Sequence, residues 1–275
     1  MTIKCLLHVH SSFSYDSKTD LADVARTARK HGFACVLMSE HNNFMNVDST
    51  AALVRRCEEL SDETLLIVPG LELAFDQNSV HLLAYGIREY IDSATPGCTF
   101  ASLVNQVRAA GGVPVLAHPT RRNAMSRVSL DDLRTLDGVE IWNVKSGNRF
   151  FPSSVELRFL ERLRASGARL FGYAGVDWHH LARFSPIAVA LDAPALTRES
   201  VLEHLRLGHF RVCGPFVSLD ASGETRQSRL AMYAVASETL SNTRRVAYRW
   251  QSALERRGMK TPRAVIAVAR RLFSV

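Results

Sequence analysis

The residues best suited to chemistry in this sequence are histidines and acidic residues that follow short apolar stretches. The first are His8 and His10, which come directly after the apolar run Cys5-Leu6-Leu7. If that run is a strand, its side chains alternate between two faces, so both histidines project from the same face. Two such imidazoles can bind one metal ion, and Asp16 could fold back toward the same pocket. A chance pair of histidines is the alternative.

The same association recurs along the chain. Further residues of metal-binding type stand at or just beyond the ends of apolar stretches: His41, Glu72, His81, His118, Asp177 and His179. A single histidine at a strand end is more often structural, but repetition over six stretches argues against independent accidents. The carboxyl ends of barrel strands converge on one face, so residues far apart in sequence can meet there. The pattern therefore predicts one shared metal site.

Alternating strands and helices must position these residues. After a cap at Thr19 or Asp20, apolar residues recur at helical spacing from Leu21 to Ala28, and further helices are predicted near 48–60, 100–110 and 153–166. The strands between them are apolar throughout, which is typical of a parallel sheet covered on both faces. About seven strand–helix units approach the size of a (β/α) barrel. An open doubly wound sheet is the alternative, but no Gly-x-Gly-x-x-Gly follows the first strand.

Composition narrows the class of protein. The 275 residues are 47% hydrophobic and 22% charged, as in ordinary globular proteins, and no apolar run is long enough to span a membrane. The start lacks a signal-peptide pattern, and the five cysteines are scattered, which indicates a reducing compartment. We therefore expect a cytoplasmic protein. The sequence leaves the oligomeric state open.

The net charge of +7 is unevenly distributed. Residues 221–275 contain eleven Lys and Arg against three Asp and Glu, whereas residues 1–220 contain twenty-three against twenty-four. Two units are therefore predicted: a nearly neutral body over 1–220 and a basic helical tail over 221–275. The tail could touch nucleic acid or an anionic membrane, or it could be a solvated appendage of unknown role.

An ordered set of motifs resembles the PHP (polymerase and histidinol phosphatase) superfamily of metal-dependent phosphoesterases. The resemblance extends over residues 1–215 and rests on His8-Val9-His10-Ser11, Ser14-Tyr15-Asp16, Ser39-Glu40-His41-Asn42, Pro69-Gly70-Leu71-Glu72, His81-Leu82-Leu83-Ala84-Tyr85, Leu116-Ala117-His118-Pro119, Gly138-Val139-Glu140 and Gly175-Val176-Asp177-Trp178-His179. Two positions depart from the usual pattern. Asp16 stands where some members have histidine, and Glu40 stands where aspartate is commoner.

The resemblance implies a fold, a ligand set and a reaction. The fold is a distorted (β/α)7 TIM-like barrel, and the cofactors are two to three divalent ions of zinc, manganese or iron. The first ion would be held by His8, His10, Glu72 and Asp177, the second by Glu72, His81 and His118, and the third by Asp16, His41 and His179. The reaction would be hydrolysis of a phosphate ester by a metal-bound hydroxide, which needs no further catalytic residue.

The substrate is less closely defined. A small phosphomonoester, a nucleotide or a short oligonucleotide diester would suit such a site. Arg121 and Arg122 follow His118-Pro119 and could hold a phosphate, while Arg149 and Arg183 are weaker candidates. Hydrolysis of a non-phosphate bond is one alternative, by analogy of fold alone. The other is a nucleic-acid-binding module whose barrel is catalytically weak.

Overall fold

The computed structural model describes residues 1–147, 149–225 and 239. Within them, strands and helices alternate along most of the chain. The strands are β1 (Thr2–Val9), β2 (Cys35–Met38), β3 (Glu40–His41), β4 (Leu66–Val68), β5 (Gly70–Phe75), β6 (Val80–Tyr85), β7 (Val113–Leu116), β8 (Gly138–Asn143), β9 (Phe171–Gly175), β10 (Ala188–Asp192), β11 (Phe210–Cys213) and β12 (Ser218–Asp220). The helices are α1 (Leu21–Lys30), α2 (Val47–Leu60), α3 (Phe100–Ala109), α4 (Leu130–Arg134), α5 (Ser154–Ala165) and α6 (Arg198–Leu207).

Local sequence accounts for the helix boundaries. The Asp20 carboxylate accepts the main-chain N–H of Ala22 and so begins α1, whose buried side follows the predicted apolar spacing. Helices α2 and α3 begin with reciprocal caps formed by Asn46 with Ser49 and by Thr99 with Ser102. The predicted helices near 48–60, 100–110 and 153–166 are confirmed to within a residue or two.

The strands pair into two six-stranded sheets. The first has the order β12-β11-β10-β1-β2-β4, and the second has the order β3-β5-β6-β7-β8-β9. Strands β1, β2 and β4 are parallel, as are the pairs β3–β5, β7–β8 and β8–β9. Parallel pairing is the arrangement that the alternation of strand and helix predicts, although β3 and β5 lie in stretches where no strand was predicted.

The prediction of a parallel sheet is wrong for two groups of strands. Strands β5, β6 and β7 pair antiparallel, and β10 to β12 add antiparallel strands beside β1. Only residues 76–79 connect β5 to β6, whereas a parallel crossover needs a dozen residues or more. Asp76, Gln77 and Asn78 all adopt positive φ angles in this tight turn. The short connection therefore dictates a hairpin.

The two sheets meet where the chain passes from one to the other. Ser39 alone separates β2 from β3, and Pro69 alone separates β4 from β5. A Cβ atom on Gly70 would lie 2.5 Å from the Met38 carbonyl oxygen, so this crossing requires glycine. On the other side, Val176 donates its main-chain N–H to the carbonyl of Leu7 at 3.0 Å. The end of β1 and the chain after β9 are therefore neighbours, while the closed seven-stranded barrel stays a prediction.

The described part of the chain ends shortly after β12. Gly172 donates its main-chain N–H to the carbonyl of Ala221 at 2.8 Å, so the body continues at least to that residue. The predicted helical tail lies outside the described residues apart from 221–225 and 239. No helix in the described ranges is long and apolar enough to cross a membrane.

Candidate metal centre

Glu72, on β5, lies at the centre of a buried cluster of histidines. Its Oε2 atom is 3.3 Å from a ring nitrogen of each of His8, His10 and His41. Its Oε1 atom is 3.1 Å from His118 Nε2 and also contacts His81 Nδ1. All six side chains are buried. One carboxylate therefore stands among five imidazoles drawn from separate parts of the chain.

Two aspartates and His179 complete the cluster on one side. Asp177 Oδ1 is 3.7 Å from His10 Nε2 and 3.3 Å from His179 Nδ1. Asp16 Oδ2 is 3.0 Å from His179 Nε2 and 3.5 Å from His41 Nε2. Every one of the nine side chains predicted as ligands therefore lies in this cluster.

Several subsets of these side chains are close enough to hold an ion. In the part of the chain that the structure describes, ligand atoms within 4.8 Å of one another occur in four groups: His8, His10 and Asp177; His8, Glu72 and His118; His41, Glu72 and His81; and His10, His41 and His179. The first group matches part of the predicted first set. The second and third groups separate His118 from His81, which the predicted second set holds together, and the fourth group keeps His41 with His179 but has His10 in place of Asp16.

Ser14 and Glu40 orient the ring of His10. The Ser14 hydroxyl donates to Glu40 Oε2 at 2.5 Å, so its oxygen is left to accept from His10 Nδ1 at 3.2 Å. The proton of neutral His10 then resides on Nδ1, and the Nε2 lone pair faces Glu72 and Asp177. Glu40 also accepts the main-chain N–H of Ser11 at 2.9 Å. The glutamate that departs from the family pattern thus accepts hydrogen bonds from Ser11 and Ser14, two of the three serines between His8 and Asp16.

Glu140, on β8, performs the same task for His8. Its Oε1 atom lies 2.8 Å from His8 Nδ1, while its Oε2 atom accepts the main-chain N–H of His118 at 2.7 Å and Asn143 Nδ2 at 3.0 Å. His8 Nε2 is then directed at Glu72. A Cβ atom on Gly175 would overlap Glu140 Oε1, so glycine leaves room for this contact.

The cluster favours added positive charge. Burial lowers the pKa of His8, but Glu140, Glu72 and Asp177 outweigh burial and raise the pKa well above its usual range. Burial raises the pKa of Glu72, yet the histidines around it reverse the effect and hold that pKa well below its usual value. The pKa of His10 is lowered by burial and then by His179, so His10 is neutral and able to act as a ligand.

The backbone is strained at three of the predicted ligands. His8, His118 and Asp177 have φ angles of 59°, 26° and 49°, in the region that disfavours residues with a Cβ atom. At His8 the pairing of β1 with β2 also shifts register between Leu7 and Val9. His8, in β1, and His10, one residue beyond its end, have ring centroids 5.1 Å apart, so the predicted meeting of the two rings is found, although through an irregular strand end and not by regular alternation. Strain of this kind is common at functional sites.

The donor atoms fit divalent cations. His10 Nε2, Asp177 Oδ2 and Asp16 Oδ1 are buried and have no hydrogen-bond partner within the described ranges. Buried polar atoms without partners are unfavourable, and ligation would satisfy all three. Imidazole nitrogens combined with carboxylate oxygens suit zinc, manganese and iron.

Lys145 is a site residue that the sequence analysis missed. Its Nζ atom lies 3.2 Å from Asp177 Oδ1 and 3.1 Å from His179 Nε2. It stands two residues beyond the end of β8, and the rule that strand ends face the site could have identified it. Lys145 lines a cavity of about 360 Å³ together with Asp16, Asp177 and His179.

The predicted phosphate-binding arginines, Arg121 and Arg122, lie outside the cavity beside Asp177. Arg122 is exposed, has a φ angle of 50°, and donates from Nη1 to the carbonyl of Asn78 at 2.5 Å. Arg121 is partly buried, and neither side chain lines the cavity beside Asp177. Their contact with phosphate stays a prediction. Arg149 does line that cavity, and the Arg183 side chain lies outside what the structure describes.

Comparison with known proteins supports the fold and the family resemblance. Residues 7–109 match the PHP domain family. A comparison with curated proteins finds no match. A two-domain protein from Bacteroides vulgatus, described as containing a predicted PHP-like metal-dependent phosphoesterase, superposes with a TM-score of 0.61 at 13% identity. The superposition covers 86% of this chain and 70% of that one.

Two further structures share the fold at low identity. PsfC from Pseudomonas syringae has a TM-score of 0.54 at 16% identity, covering 88% of this chain and 98% of its own. The lesion-specific endonuclease PfuEndoQ from Pyrococcus furiosus has a TM-score of 0.54 at 14% identity, covering 80% of this chain and 60% of its own. The predicted resemblance is confirmed: this chain carries a PHP domain match over residues 7–109, within a mixed α/β fold shared with a PHP-like phosphoesterase.

Proposed function

We propose that this protein is a metal-dependent phosphoesterase that hydrolyses a phosphomonoester, or the phosphodiester of a nucleotide or short oligonucleotide. Two to three ions of zinc, manganese or iron would be held by the nine predicted ligands. The convergence of five histidines on Glu72 carries the proposal. A structural role alone does not explain why several of these buried donor atoms lack partners.

Different residues of the site would bind the ions, orient the histidine ligands and contact the substrate. Glu72 would bridge two ions, since its two oxygens face different histidines. Divalent ions in such a site supply activation of water and stabilisation of charge on the phosphoryl oxygens. Glu140 and Ser14 would hold the ring protons of His8 and His10 on Nδ1, so that each Nε2 atom can face an ion. Lys145 offers its ammonium group to a phosphoryl oxygen at the rim.

An exposed aromatic pair supports a nucleotide as substrate. Tyr15 is 56% exposed and its ring centroid lies 5.3 Å from that of His41, while Phe44 is 70% exposed and lies 4.6 Å from Tyr15. Exposed aromatic faces beside a catalytic centre can stack on a base. Trp142 and Trp178 are only 1% and 3% exposed, so neither presents an open ring face of this kind.

The proposal also covers the closure of the barrel, the extent of the catalytic unit and the location of the protein in the cell. The hydrogen bonds between β1 and the chain after β9 support closure of the sheets into a distorted (β/α)7 barrel. Residues 1–220 would form the catalytic unit, with 221–275 as a separate tail. The five cysteines are free in the structure, which supports a reducing, cytoplasmic location.

Metal content and turnover test the proposal together. We expect at least two divalent ions per chain and hydrolysis of generic phosphomonoester or phosphodiester substrates. His10→Ala should remove turnover, because His10 lies within 4 Å of both Glu72 and Asp177. His209→Ala is the matched control, since His209 is exposed and remote from the cluster. Metal-loaded protein without turnover on either ester class would refute the proposal.

The same purified protein tests the main alternative, a nucleic-acid-binding module with a catalytically weak barrel. A nucleic-acid-binding module would be metal-poor and would bind RNA or DNA with strong dependence on salt. That alternative rests on the basic tail, which lies outside the described residues. Salt-sensitive binding that is lost on removing the tail, with no turnover by the full chain, would favour it.

A further inference from the structure

The cavity beside Asp177 contains cationic groups in two different settings. Lys145 and Arg149 both line it, on the chain segment that follows β8. Lys145 is in direct contact with Asp177 and His179, at 3.2 and 3.1 Å. Arg149 forms no ion pair with any described residue, and its described contact is with the ring of Phe150, 5.5 Å from Cζ to the ring centroid. One cation is therefore at the ligand cluster and the other is outside it.

Ser185 contributes a second unsatisfied group to the same cavity. The residue is 2% exposed, and its hydroxyl is a buried polar atom without a hydrogen-bond partner among the described residues. A buried hydroxyl without a partner is unfavourable by an amount comparable to a lost hydrogen bond. Ser185 lines the cavity, so rotation of its side chain would bring the hydroxyl to a bound molecule.

Size and charge together define what fits. A volume of about 360 Å³ exceeds the space that a single phosphate group occupies, so a larger part of a substrate can enter. Because the Arg149 guanidinium has no carboxylate partner in the described ranges, it is well suited to bind the two oxygens of a second anionic group. Trp178 and Phe184 also line the cavity and provide apolar walls between the charged positions.

We propose that Arg149, together with the Ser185 hydroxyl, binds a second anionic group of the substrate. The substrate class is then a phosphate ester that carries another phosphate or a carboxylate away from the bond that is broken. Arg149 acts as a specificity-determining residue, whereas Lys145 contacts the phosphoryl group at the metal centre. This inference rests on the proposed phosphoesterase function, which it deepens.

Two non-hydrolysable probes test the proposal through binding. Benzylphosphonate carries one anionic group, and 4-carboxybenzylphosphonate adds a carboxylate at the far end of the ring. Calorimetry on metal-loaded full-length protein should show the carboxylated probe binding about tenfold more tightly. Arg149→Gln should reduce this ratio to about one while leaving benzylphosphonate affinity unchanged. Ser185→Ala should reduce the ratio by about threefold.

Arg56→Gln is the matched control, because Arg56 is on helix α2 and pairs with Glu59 at the surface. Its ratio should equal that of the wild type. Equal binding of both probes to the wild type, or no binding of either, would overturn the inference. Equal weakening of both probes by Arg149→Gln would also overturn it, since Arg149 would then hold the phosphonate itself. Turnover of phenyl phosphate is measured in parallel, so failure of the phosphoesterase proposal is seen separately.

Discussion

Replacement of Glu140 by glutamine tests whether a hydrogen bond controls the ligand nitrogen of His8. Glutamine has the same shape but one acceptor atom becomes a donor. The main-chain N–H of His118 and the amide of Asn143 both point at Oε2, so the glutamine oxygen should stay on that side. The new NH₂ group then faces His8 Nδ1, which lies 2.8 Å from the present oxygen.

The consequence is a change of tautomer. His8 Nδ1 must accept from the NH₂ group, so the ring proton moves to Nε2, 3.3 Å from Glu72 Oε2. A protonated Nε2 has no lone pair for a cation. Metal binding at Nε2 would require the tautomer of His8 with its proton on Nδ1. The Nδ1–H group would then face the glutamine NH₂ group, and a hydrogen bond worth about 1.5–3 kcal/mol would be lost. We therefore expect about 10- to 100-fold weaker metal binding in Glu140→Gln.

Competition with a chromophoric chelator measures this affinity directly. Glu156→Gln is the control, because Glu156 is also a buried carboxyl, 3% exposed, but it accepts from Thr120 at 2.8 Å instead of from a predicted ligand. Wild-type affinity in Glu140→Gln would refute the tautomer argument. Equal losses in both variants would refute it too, since burial of any carboxyl in this region would then be the common cause.

Three further outcomes follow from the same structure. Burial raises the pKa of Glu156 to about 7, so the folded protein keeps a proton that the unfolded chain releases and stability falls as pH rises toward 7. The stability of Glu156→Gln relative to wild type should therefore increase by about 2 kcal/mol from pH ~5 to pH ~8 in urea unfolding, and a flat difference would contradict this. Gly175→Ala should displace Glu140 from His8 and lower bound metal, as measured by elemental analysis, while normal metal content would exclude that clash. A chain ending at residue 225 should keep its bound metal and its turnover, because all predicted ligands precede residue 180. If turnover is lost while the thermal unfolding transition is intact, the tail has a role in the chemistry.

The sequence was sufficient to predict which residues gather at the site. The reason is that the ligand types stand at strand ends, and the path of neighbouring strands brings such ends together. Helix α1 could also be predicted from the sequence, because the cap at Asp20 and the apolar spacing from Leu21 to Ala28 are local signals. Local signals of this kind are independent of how distant segments pack.

Other features depend on distant segments and escaped prediction. Lys145 reaches Asp177 only because β8 and β9 are neighbours in the sheet. Glu156 has the sequence context of an ordinary helical residue, and its burial follows from the packing of α5 against the segment around Thr120. The antiparallel direction of β6 was within reach, since Asp76-Gln77-Asn78-Ser79 has the composition of a turn, but the alternation of strands and helices elsewhere favours a parallel sheet.

At His8, His118 and Asp177, which have positive φ angles, selection for stability and selection for the side chain act in opposite directions. Each such angle disfavours a residue with a Cβ atom by about 1–2 kcal/mol relative to glycine. Selection for a robust fold alone would therefore substitute glycine at all three positions. Only selection for what these side chains hold keeps them in place, so a descendant of this protein that had lost its chemistry should lose these three residues early.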